Sequence, residues 1–467
     1  MTPEESKSGM GKASPIERMG HRISGSVEKW FPDPFLFALL LLFLVIVLAW
    51  IIEGKNPYES AGYMYLGFWG FLAFAMQMCL ILLLGYVIAV HPAVNSFIRG
   101  LCKIPRNGKQ AAALVALIAC IFSWINWGLG LVMGALMARE MGRNAHERGI
   151  AVHYPVLCAA GYTGLGLIWH WGLSGSAPLL SNVPGHFLEK LIGLVPANET
   201  IFSAYGLLNS VLIAIFAMVI CYLLHPGRAE RCRGIDHYAP SILKVEETPK
   251  AEKAQLLTFA DKIENSQLIA VVTVLLGAMA MIWWFRTRGF MAGINLDSVN
   301  FIFILIGLAL YRNPIGYVKA IFKGSAAVGG IILQFPFYAG IQGVMTRSGL
   351  AVTFADGLAK VATQFTLPFI SLLMGGLVNL FIPSGGGEWM TIGEVVARTS
   401  IAVEAPIGKI IMAYGAGDAW TNLFNPFWAI ALLAITQVRA RDMFGYCITI
   451  MIFATIPYFI GLTFIPY

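Results

Sequence analysis

Charged side chains are scarce in this chain: Asp, Glu, Lys and Arg make up only 12% of its 467 residues, whereas 58% are hydrophobic. Soluble domains carry roughly 25% charged residues, so this composition cannot cover a globule of this size with a water-compatible surface. The net charge of +7 does not indicate nucleic-acid binding, because the basic residues lie between apolar runs and not in one patch. The composition therefore predicts an integral membrane protein in contact with lipid, with no nucleic-acid partner.

Several motifs of catalysis and metal binding are also missing. The seven cysteines show no CxxC spacing, so we interpret them as small core residues and expect neither a disulfide framework nor a metal site. No GxxxxGK[ST] sequence is present, which argues against an ATP-driven pump, and HExxH and GxSxG are absent too. We therefore predict that the protein is not an enzyme and has no resident cofactor.

Apolar runs recur along the chain, and a membrane helix needs about 20 such residues. The first run follows a polar segment without a clear cleavage site, so we expect a retained helix and not a signal peptide. The candidate spans are 35–52, 63–90, 150–173, 201–224, 266–285, 299–311, 324–346, 410–436 and 443–463.

Two further apolar stretches, 111–137 and 367–397, are interrupted midway, at 124–130 and at 383–387. Pro and clustered Gly disrupt a helix, and free backbone groups at membrane depth are tolerated only where protein buries them or water reaches them. We interpret both stretches as re-entrant hairpins that enter and leave on the same side. A kinked helix that passes straight through is the alternative.

The distribution of basic residues favours the hairpins. With the N-terminus inside and each hairpin returning to its own side, the inside segments hold 24 of the 32 Lys and Arg, and the outside segments hold 8. This is the bias of the positive-inside rule, and making either hairpin a full crossing inverts every later loop and removes it. We therefore expect a multi-pass protein with a cytoplasmic N-terminus.

The two interrupted stretches also resemble each other at an offset of 259 residues. Gly128 then matches Gly387, and Gly134 matches Gly393, a pair for which we favour a packing role. Paired repeats of opposite orientation, each with a broken element near the midplane, are a recurrent plan of secondary transporters. The predicted fold class is an all-α polytopic membrane protein with two inverted-topology repeats, about 9 transmembrane helices and two re-entrant hairpins. Its predicted segments are a cytoplasmic N-terminal segment (1–34), a first membrane repeat (35–224), a cytoplasmic linker (225–265), and an extra helix followed by the second repeat (266–467).

The breaks are the candidate substrate site. Each exposes backbone N–H groups where the helix dipole adds positive potential, and small residues let a ligand come close to the backbone. A carboxylate is the expected ligand, and tight helix packing through small residues is the alternative. The candidate substrate-binding residues are Ser384, Gly385, Gly386 and Gly387 at the second break, with Asn126 and Gly128 at the first.

The spans that follow the hairpins carry polar residues beside further predicted interruptions, within 161–178 and 415–426. Unwound carbonyls and side-chain oxygens at such places bind Na⁺ in transporters. For ion coupling we predict Thr163, Ser174 and Ser176. For polar contacts to the substrate we predict Thr421, Asn422 and Asn425.

Trp389 and Trp420 follow the breaks directly, so we expect them to shape a pocket for a short alkyl chain. For any one Trp, an anchor at the membrane interface is the alternative.

Ionisable residues in apolar context are costly in a bilayer and are functional candidates by default. Asp418 is the first candidate for coupling to Na⁺ or H⁺, because it lies in a predicted unwound segment. Glu388 is the second, although a carboxylate in the first turn of a helix also compensates the helix dipole. For His170 we favour a structural role over a proton relay. Glu394 is the fourth residue of this kind.

Short motifs in a fixed order span nearly the whole chain. They are WFPDP (30–34), FAMQM (74–78), INWG (125–128), SGSAPL (174–179), QFPFYAGIQ (334–342), PSGGG (383–387), PFWA (426–429) and GYCIT (445–449). In these motifs the chain resembles the short-chain fatty acid uptake family, bacterial permeases associated with acetoacetate and butyrate use. The resemblance implies an inner-membrane carrier of short monocarboxylates. More distantly, the chain is similar to an ion-transporter group with paired re-entrant hairpins whose members are often dimers, which makes a homodimer the expected assembly.

The sequence thus predicts a secondary active transporter, a symporter that takes up short-chain fatty acids such as butyrate or acetoacetate with Na⁺ or H⁺. The alternatives are a di- or tricarboxylate carrier of the same architecture, a membrane-embedded enzyme and an anion channel. A binding site for a substrate with two negative charges usually contains fixed positive charge. Neither break contains Lys or Arg, which favours a monocarboxylate.

Overall fold

A computed structural model describes residues 34–243, 258–380, 382, 384–425 and 428–467 of the chain. Within these ranges all regular elements are helical and no strand occurs, so the all-α prediction is confirmed there. The predicted N-terminal segment, apart from its last residue, and positions 244–257 of the predicted linker lie outside the described residues.

Ten α-helices form the region predicted as the first repeat. Their starts follow local rules: the side chains of Asn56 and Asn107 accept backbone N–H groups at two of them, and Pro57 and Pro92 take first helical positions, where no N–H is needed. The helices are α1 (Pro34–Glu53), α2 (Pro57–Phe68), α3 (Leu72–Ala89), α4 (Pro92–Leu101), α5 (Gly108–Ile125), α6 (Trp127–Glu147), α7 (Tyr154–Thr163), α8 (Ser176–Leu180), α9 (Glu189–Ile192) and α10 (Ala204–Leu224).

Thirteen further α-helices occur in the described residues after position 224. They are α11 (Ile235–Tyr238), α12 (Phe259–Glu264), α13 (Gln267–Arg288), α14 (Phe290–Gly293), α15 (Leu296–Tyr311), α16 (Pro314–Gly324), α17 (Gly329–Ser348), α18 (Leu350–Ala359), α19 (Leu367–Asn379), α20 (Gly385–Ala402), α21 (Ile407–Thr421), α22 (Ala429–Thr436) and α23 (Ala440–Phe464).

Several of these helices have the length and composition of membrane spans. Five qualify individually (α3, α5, α10, α13 and α23), and α16 with α17 makes a sixth if this pair, bent by 62°, is counted as one span. The other predicted spans consist of shorter or interrupted helices. The run 63–90, for example, is divided between α2 and α3, where Gly67 lies directly against Gly343 of α17.

The spans after the two breaks differ from each other. In the first, α7 passes into a π-helical turn (Gly164–Ile168) and a 3₁₀ turn (Trp169–Trp171), as the predicted interruption requires. In the second, the predicted unwinding at 415–422 is wrong, because α21 stays regular through Thr421 and the chain leaves helical geometry only afterwards. Gly415 and Gly417 serve close packing there and do not break the helix.

Both predicted hairpin stretches are helix–break–helix elements. In the first, the break is a single residue, Asn126, and not the seven-residue interruption expected, and α5 and α6 lie against each other. In the second, α19 ends at Asn379 and α20 begins at Gly385, so the glycines expected within the break, Gly385 to Gly387, form the first turn of α20. Helix α19 packs mainly along α21 and only lightly against α20.

The two halves meet in the centre of the molecule. Helix α6 packs on α22, and α21 packs on the turns at 164–171, so each half places a broken element beside the other half. The starts of both α6 and α20 are buried, from Trp127 and from Gly385 onward. A ligand-sized site can therefore form between the halves.

The described beginning of the predicted linker docks onto the start of α7 through two histidines. The His153 backbone N–H donates to His225 Nε2 (2.9 Å), and the Arg233 N–H donates to His153 Nδ1 (3.2 Å). Burial is the main cause that lowers the pKa of both histidines to about 4. Both imidazoles accept hydrogen bonds here, so this contact requires their neutral forms.

Candidate functional site

A pocket lies between the two halves, at the starts of α6 and α20. Its cavity has a volume of about 20 Å³ in this conformation, enough for about one water molecule, so a larger ligand requires the pocket to widen. Both halves contribute to its lining, which consists of Met78, Trp127, Leu165, Trp169, Ser176, Ile331, Phe335, Ser384, Gly385 and Trp428.

Three indole rings form one wall of the pocket. The ring centroids of Trp127 and Trp169 are 6.0 Å apart, and those of Trp127 and Trp428 are 5.0 Å apart. The polar groups of the lining are few and include the two serine hydroxyls and the backbone at the start of α20. An apolar pocket with a few convergent polar groups suits a small molecule that has an alkyl part and one polar end.

The second break presents backbone N–H groups to this pocket. Ser384 is the N-cap of α20, and its Oγ accepts the Gly387 N–H at 3.3 Å. None of the described residues accepts a hydrogen bond from the N–H groups of Gly385 or Gly386. Free N–H groups at a helix start, together with the positive end of the helix dipole, are suited to an anion.

The three glycines of this turn are also required by packing. A Cβ on Gly385 would overlap His170 Nε2, one on Gly386 would overlap the Phe74 ring, and one on Gly387 would come within 2.7 Å of the Tyr338 ring. Close packing, which the sequence offered as the alternative to ligand approach, therefore occurs at these residues, and ligand binding there stays a prediction.

The first break is occupied by its own side chains. Asn126 Oδ1 accepts the Leu129 N–H (2.9 Å), and its Nδ2 donates to the Ile81 carbonyl (3.3 Å). The Trp127 N–H donates to Ser174 Oγ (2.8 Å). In this conformation both ends of the Asn126 amide hold backbone groups and Ser174 serves as a helix cap, while a substrate contact through Asn126 stays a prediction.

Gly128 is a packing residue, since a Cβ there would come within 3.0 Å of the α3 backbone at Leu82. Gly134 lies against the Gly161 backbone, which agrees with the predicted packing role. The contacts of Gly393 are with Trp389 of its own helix, so the packing it serves is local.

Three ionisable side chains gather beside the pocket. His170 Nε2 lies 3.2 Å from Asp418 Oδ2, and both side chains are buried. Glu388 is fully buried in the first turn of α20, the same turn whose Gly385 lies against Asp418 Oδ2. Sequence reasoning singled out these residues one by one, and the structure brings all three together. Glu394, the fourth candidate, instead pairs with Arg398 (2.8 Å).

A different polar cluster gathers the predicted residues after α21. Asn379, at the end of α19, donates through Nδ2 to Thr421 Oγ1 (3.0 Å) and Asn422 Oδ1 (3.1 Å), and Asn425 Nδ2 donates to the Asn379 carbonyl (3.3 Å). These three predicted contacts with substrate hold the end of α19 to α21 and do not line the pocket. Sequence reasoning missed Asn379, although an Asn inside an apolar hairpin arm was a usable signal.

The predicted tryptophans do not line the pocket. Trp389 is fully buried against Tyr414, with ring centroids 5.4 Å apart, and Trp420 Nε1 donates to the Met451 carbonyl (2.7 Å). A role of both in an acyl pocket stays a prediction. The rings that line the pocket in this conformation belong to Trp127, the first residue of α6, and to Trp169 and Trp428, which follow α7 and α21.

Of the residues predicted for ion coupling in the first half, only Ser176 reaches the pocket. Thr163 Oγ1 donates to the Ala160 carbonyl (2.7 Å) at the end of α7. Among the described residues, no three His, Cys, Asp or Glu side chains are arranged to hold a metal ion. Sodium binding stays a prediction.

The described residues form a helical fold with several apolar helices of bilayer length, which indicates a multi-pass membrane protein. The fold is similar to that in the crystal structure of the YdaH transporter of Alcanivorax borkumensis, which was reported to have an unusual topology. The TM-score is 0.58 at 16% sequence identity, over 92% of this chain and 97% of that one. At this identity the likeness concerns the fold alone.

The sequence itself matches the family described as "Short chain fatty acid transporter" over residues 15–465. A "Putative short-chain fatty acid transporter" of Escherichia coli K12 is 34% identical over 448 residues, which cover 96% of this chain and 99% of that protein. One of Haemophilus influenzae Rd with the same description is 33% identical over 457 residues, covering 96% and 100%. The chain therefore belongs to the short-chain fatty acid transporter family, a family of transporters and not of enzymes, which confirms the resemblance found in the sequence.

Proposed function

We propose that this chain is a secondary active transporter, a symporter that takes up short-chain fatty acids such as butyrate or acetoacetate across the bacterial inner membrane. The observation that carries the proposal is the pocket between the halves, with indole rings along one wall and the start of α20 at one end. Membership of the short-chain fatty acid transporter family supports the substrate class.

In the proposed binding mode, the substrate carboxylate accepts hydrogen bonds from the N–H groups of Gly385 and Gly386 and from the Ser384 hydroxyl. Its alkyl chain lies against Trp127, Trp169 and Trp428. These groups all belong to the pocket lining or adjoin it, and no Lys or Arg is among the lining residues. A single negative charge fits such a site better than two or three, which argues against the di- and tricarboxylate alternative.

The architecture that goes with this mechanism is a pair of inverted repeats, 35–224 and 266–467, joined by a cytoplasmic linker. The two helix–break–helix elements are its re-entrant hairpins, among about 9 transmembrane helices, with the N-terminus in the cytoplasm. The excess of Lys and Arg in the inside segments supports this orientation. The equivalence of Asn126 and Ser384, each the N-cap of the second arm of its element, supports the proposed repeat.

Coupling to a cation follows from charge. Moving one negative charge inward against about −100 mV costs roughly 2.3 kcal/mol, and a co-transported cation cancels that term. The site residues proposed for this role are Asp418 and Glu388, which lie directly behind Gly385.

The protein's surroundings are proposed to be lipid and a second copy of the chain. Helix α13 supports the lipid contact, since only 11% of its apolar window is buried within the chain and side chains such as Leu268 and Trp283 are exposed. The homodimer rests on similarity to the wider ion-transporter group.

Uptake of labelled butyrate into proteoliposomes of the purified protein tests the proposal. The expected result is saturable uptake that rises with an imposed ion gradient and is inhibited by other C2–C6 monocarboxylates but not by succinate or citrate. Protein-free liposomes correct for passive entry of the acid. Fluxes that do not saturate would point to a channel, inhibition by citrate to the dicarboxylate alternative, and a chemically altered product to an enzyme.

A further inference from the structure

Glu388, Asp418 and His170 form a buried cluster that contains no Lys or Arg. The side chains of His170 and Asp418 are 0% and 1% exposed, and Glu388 is 0% exposed. Because His170 is the one basic partner, two ionised carboxyls would leave the cluster with a net negative charge even when the imidazole is protonated. An uncompensated buried charge costs several kcal/mol.

The elements packed around the cluster supply no positive charge that would compensate two ionised carboxyls. Helices α8 and α19 contain no ionisable residue, Tyr414 of α21 lies beside both carboxyls, and the Tyr338 hydroxyl of α17 donates to Gln334 Oε1 (3.0 Å). Glu394 and Asp442 are paired with arginines. The other charged residues on the packed helices are partly or fully exposed: Glu189, Lys190, Arg347, Asp356, Lys409 and Arg441.

The donors nearest the two carboxyls are His170 Nε2, 3.2 Å from Asp418 Oδ2, and the hydroxyl of Tyr414. Neither makes a well-aligned hydrogen bond, since no oxygen of Glu388 or Asp418 has a hydrogen-bond partner among the described residues when both groups are counted as acceptors only. The two carboxyls are neighbours, because Asp418 Oδ2 lies against Gly385 and Glu388 follows in the same first turn of α20. One proton resolves this, because a protonated carboxyl donates to its neighbour while the charge of the pair falls by one, as in other carboxyl pairs that share a proton.

The cluster is also joined to the proposed substrate site. Gly385 lines the pocket, and its Cα lies against both Asp418 Oδ2 and His170 Nε2. A substrate carboxylate at the Gly385 N–H would thus bring a further negative charge next to the pair. Substrate binding then favours the protonated pair, and by linkage the protonated pair favours substrate binding to the same extent.

We propose that Glu388 and Asp418 together form the proton-binding site of the transport cycle, taking up one proton with each substrate carboxylate, and that the coupling ion is therefore H⁺ and not Na⁺. The inference rests on the proposed function. The proton enters from the aqueous phase that supplies the substrate and leaves to the phase that receives it, so that carboxylate and proton together carry no net charge. His170 positions Asp418 through its Nε2, which lies 3.2 Å from Asp418 Oδ2.

Equilibrium binding of butyrate to the detergent-solubilised full chain, between about pH 6 and 8, tests the proton site without passive flux. A free carboxylic acid stays ionised in that range, so its own titration does not interfere. Wild-type affinity should rise by up to about tenfold for each unit of falling pH, as expected for uptake of one proton, and should be the same in Na⁺ and K⁺ buffers. E388Q, which mimics the protonated form, should bind butyrate with an affinity that no longer depends on pH.

E394Q is the matched control, since it makes the same chemical change on the same helix in a residue that pairs with Arg398 outside the cluster. Its pH dependence should equal that of the wild type. Infrared difference spectra on butyrate addition supply a second readout: a protonated-carboxyl band should appear in the wild type and in E394Q but not in E388Q. If E388Q does not fold, the spectra of the wild type and of E394Q still test the proposal, because both should show the protonated-carboxyl band.

The outcomes separate the two proposals. Failure of the wild type to bind any short monocarboxylate overturns the proposed function. Binding that is independent of pH but stronger in Na⁺, or binding by E388Q that keeps the wild-type pH dependence, overturns the proton site alone. In proteoliposomes, butyrate-dependent entry of protons into the lumen completes the positive result, and sodium-driven uptake without proton entry contradicts it.

Discussion

Asn126 and Ser384 occupy equivalent positions in two helix breaks. Each is the N-cap of the second arm, each has a φ of −158°, and each accepts the N–H three residues further on. At the first break, Ser174 takes a further N–H, and the Asn126 amide also holds α3. At the second, two N–H groups have no acceptor among the described residues, and two carboxyls lie behind them.

The two breaks share one backbone arrangement but differ in the hydrogen bonds made there. At the first break, side chains of the protein itself bond to the backbone groups, so we regard this break as a rigid part of the framework. The second is left polar, charged and open to the pocket, so we assign substrate and proton binding there. Variants in the two helix–break–helix elements can test this assignment.

The largest effect is expected from G385A compared with G128A. A Cβ at position 385 would overlap His170 Nε2 and displace the start of α20, so butyrate uptake should fall by about 100-fold or more. G128A presses only on the α3 backbone, so it should lower the melting temperature while uptake per folded protein stays within a few-fold of the wild type.

G357A is the control for this pair, because a Cβ there meets no atom within 4 Å, and neither uptake nor melting temperature should fall. Uptake lost in folded G128A to the extent seen in G385A would break the comparison, since the first break would then belong to the substrate site.

The second-largest effect is expected from G134A compared with G393A, measured as free energy of unfolding in mixed detergent micelles. A Cβ at 134 would overlap the Gly161 carbonyl, a backbone group that cannot turn aside, and should cost about 3 kcal/mol. A Cβ at 393 meets the Trp389 ring at 2.9 Å, which a small ring movement relieves, and should cost about 1 kcal/mol. Equal losses of unfolding free energy in G134A and G393A would mean that the surroundings of the two glycines are equally rigid.

Acidification should separate fold stability from substrate binding. His153 and His225 have a folded pKa of about 4 against an ordinary 6.5, so the folded state binds fewer protons than the unfolded state between these values. Their stabilising effect is complete above about pH 6.5, falls as the pH drops, and is lost near pH 4, with a change on the order of 2–3 kcal/mol for one such group. Thermal unfolding from pH 8 to 4 measures it.

The variant H225A should remove much of this acid sensitivity, whereas E388Q should leave it unchanged. Butyrate affinity should change in the opposite direction, rising as the pH falls. Stability that stays level across this range would contradict the role of neutral histidines in docking the segment after α10.

The smallest difference is expected between N126A and S384A. Removing the buried Asn126 amide leaves the Leu129 N–H without its acceptor and removes the contact to the Ile81 carbonyl, which should cost roughly 1–3 kcal/mol of unfolding free energy. Removing the Ser384 hydroxyl loses one cap bond of 3.3 Å, at about 0.5–1 kcal/mol, and should raise the KM for butyrate. A raised KM in N126A at full folding would contradict a purely structural first break.

Much of this organisation could be predicted from residue pattern. Pro383 to Gly387 and Asn126 located the breaks, because Gly-rich and Pro-containing stretches interrupt apolar helices, and Asp418, Glu388 and His170 were singled out as ionisable residues in apolar runs. The extents of the breaks were not predictable. The sequence offset of 259 matches Gly128 with Gly387, yet the caps lie 258 residues apart, so these two glycines stand at different positions of their helices.

Sequence alone determined that the chain is helical, bound to membrane and interrupted in two places. The length of an apolar run favours a membrane helix and clustered glycine interrupts it, and neither effect depends on contacts with other segments of the chain. Only the tertiary structure decided which polar residues are free. Asn126, Thr421 and Asn422 look suited to a ligand until their hydrogen bonds to neighbouring helices are seen. The meeting of His170 with Asp418 depends on how α21 packs against the turn after α7, and no local pattern specifies a contact between residues so far apart in the chain.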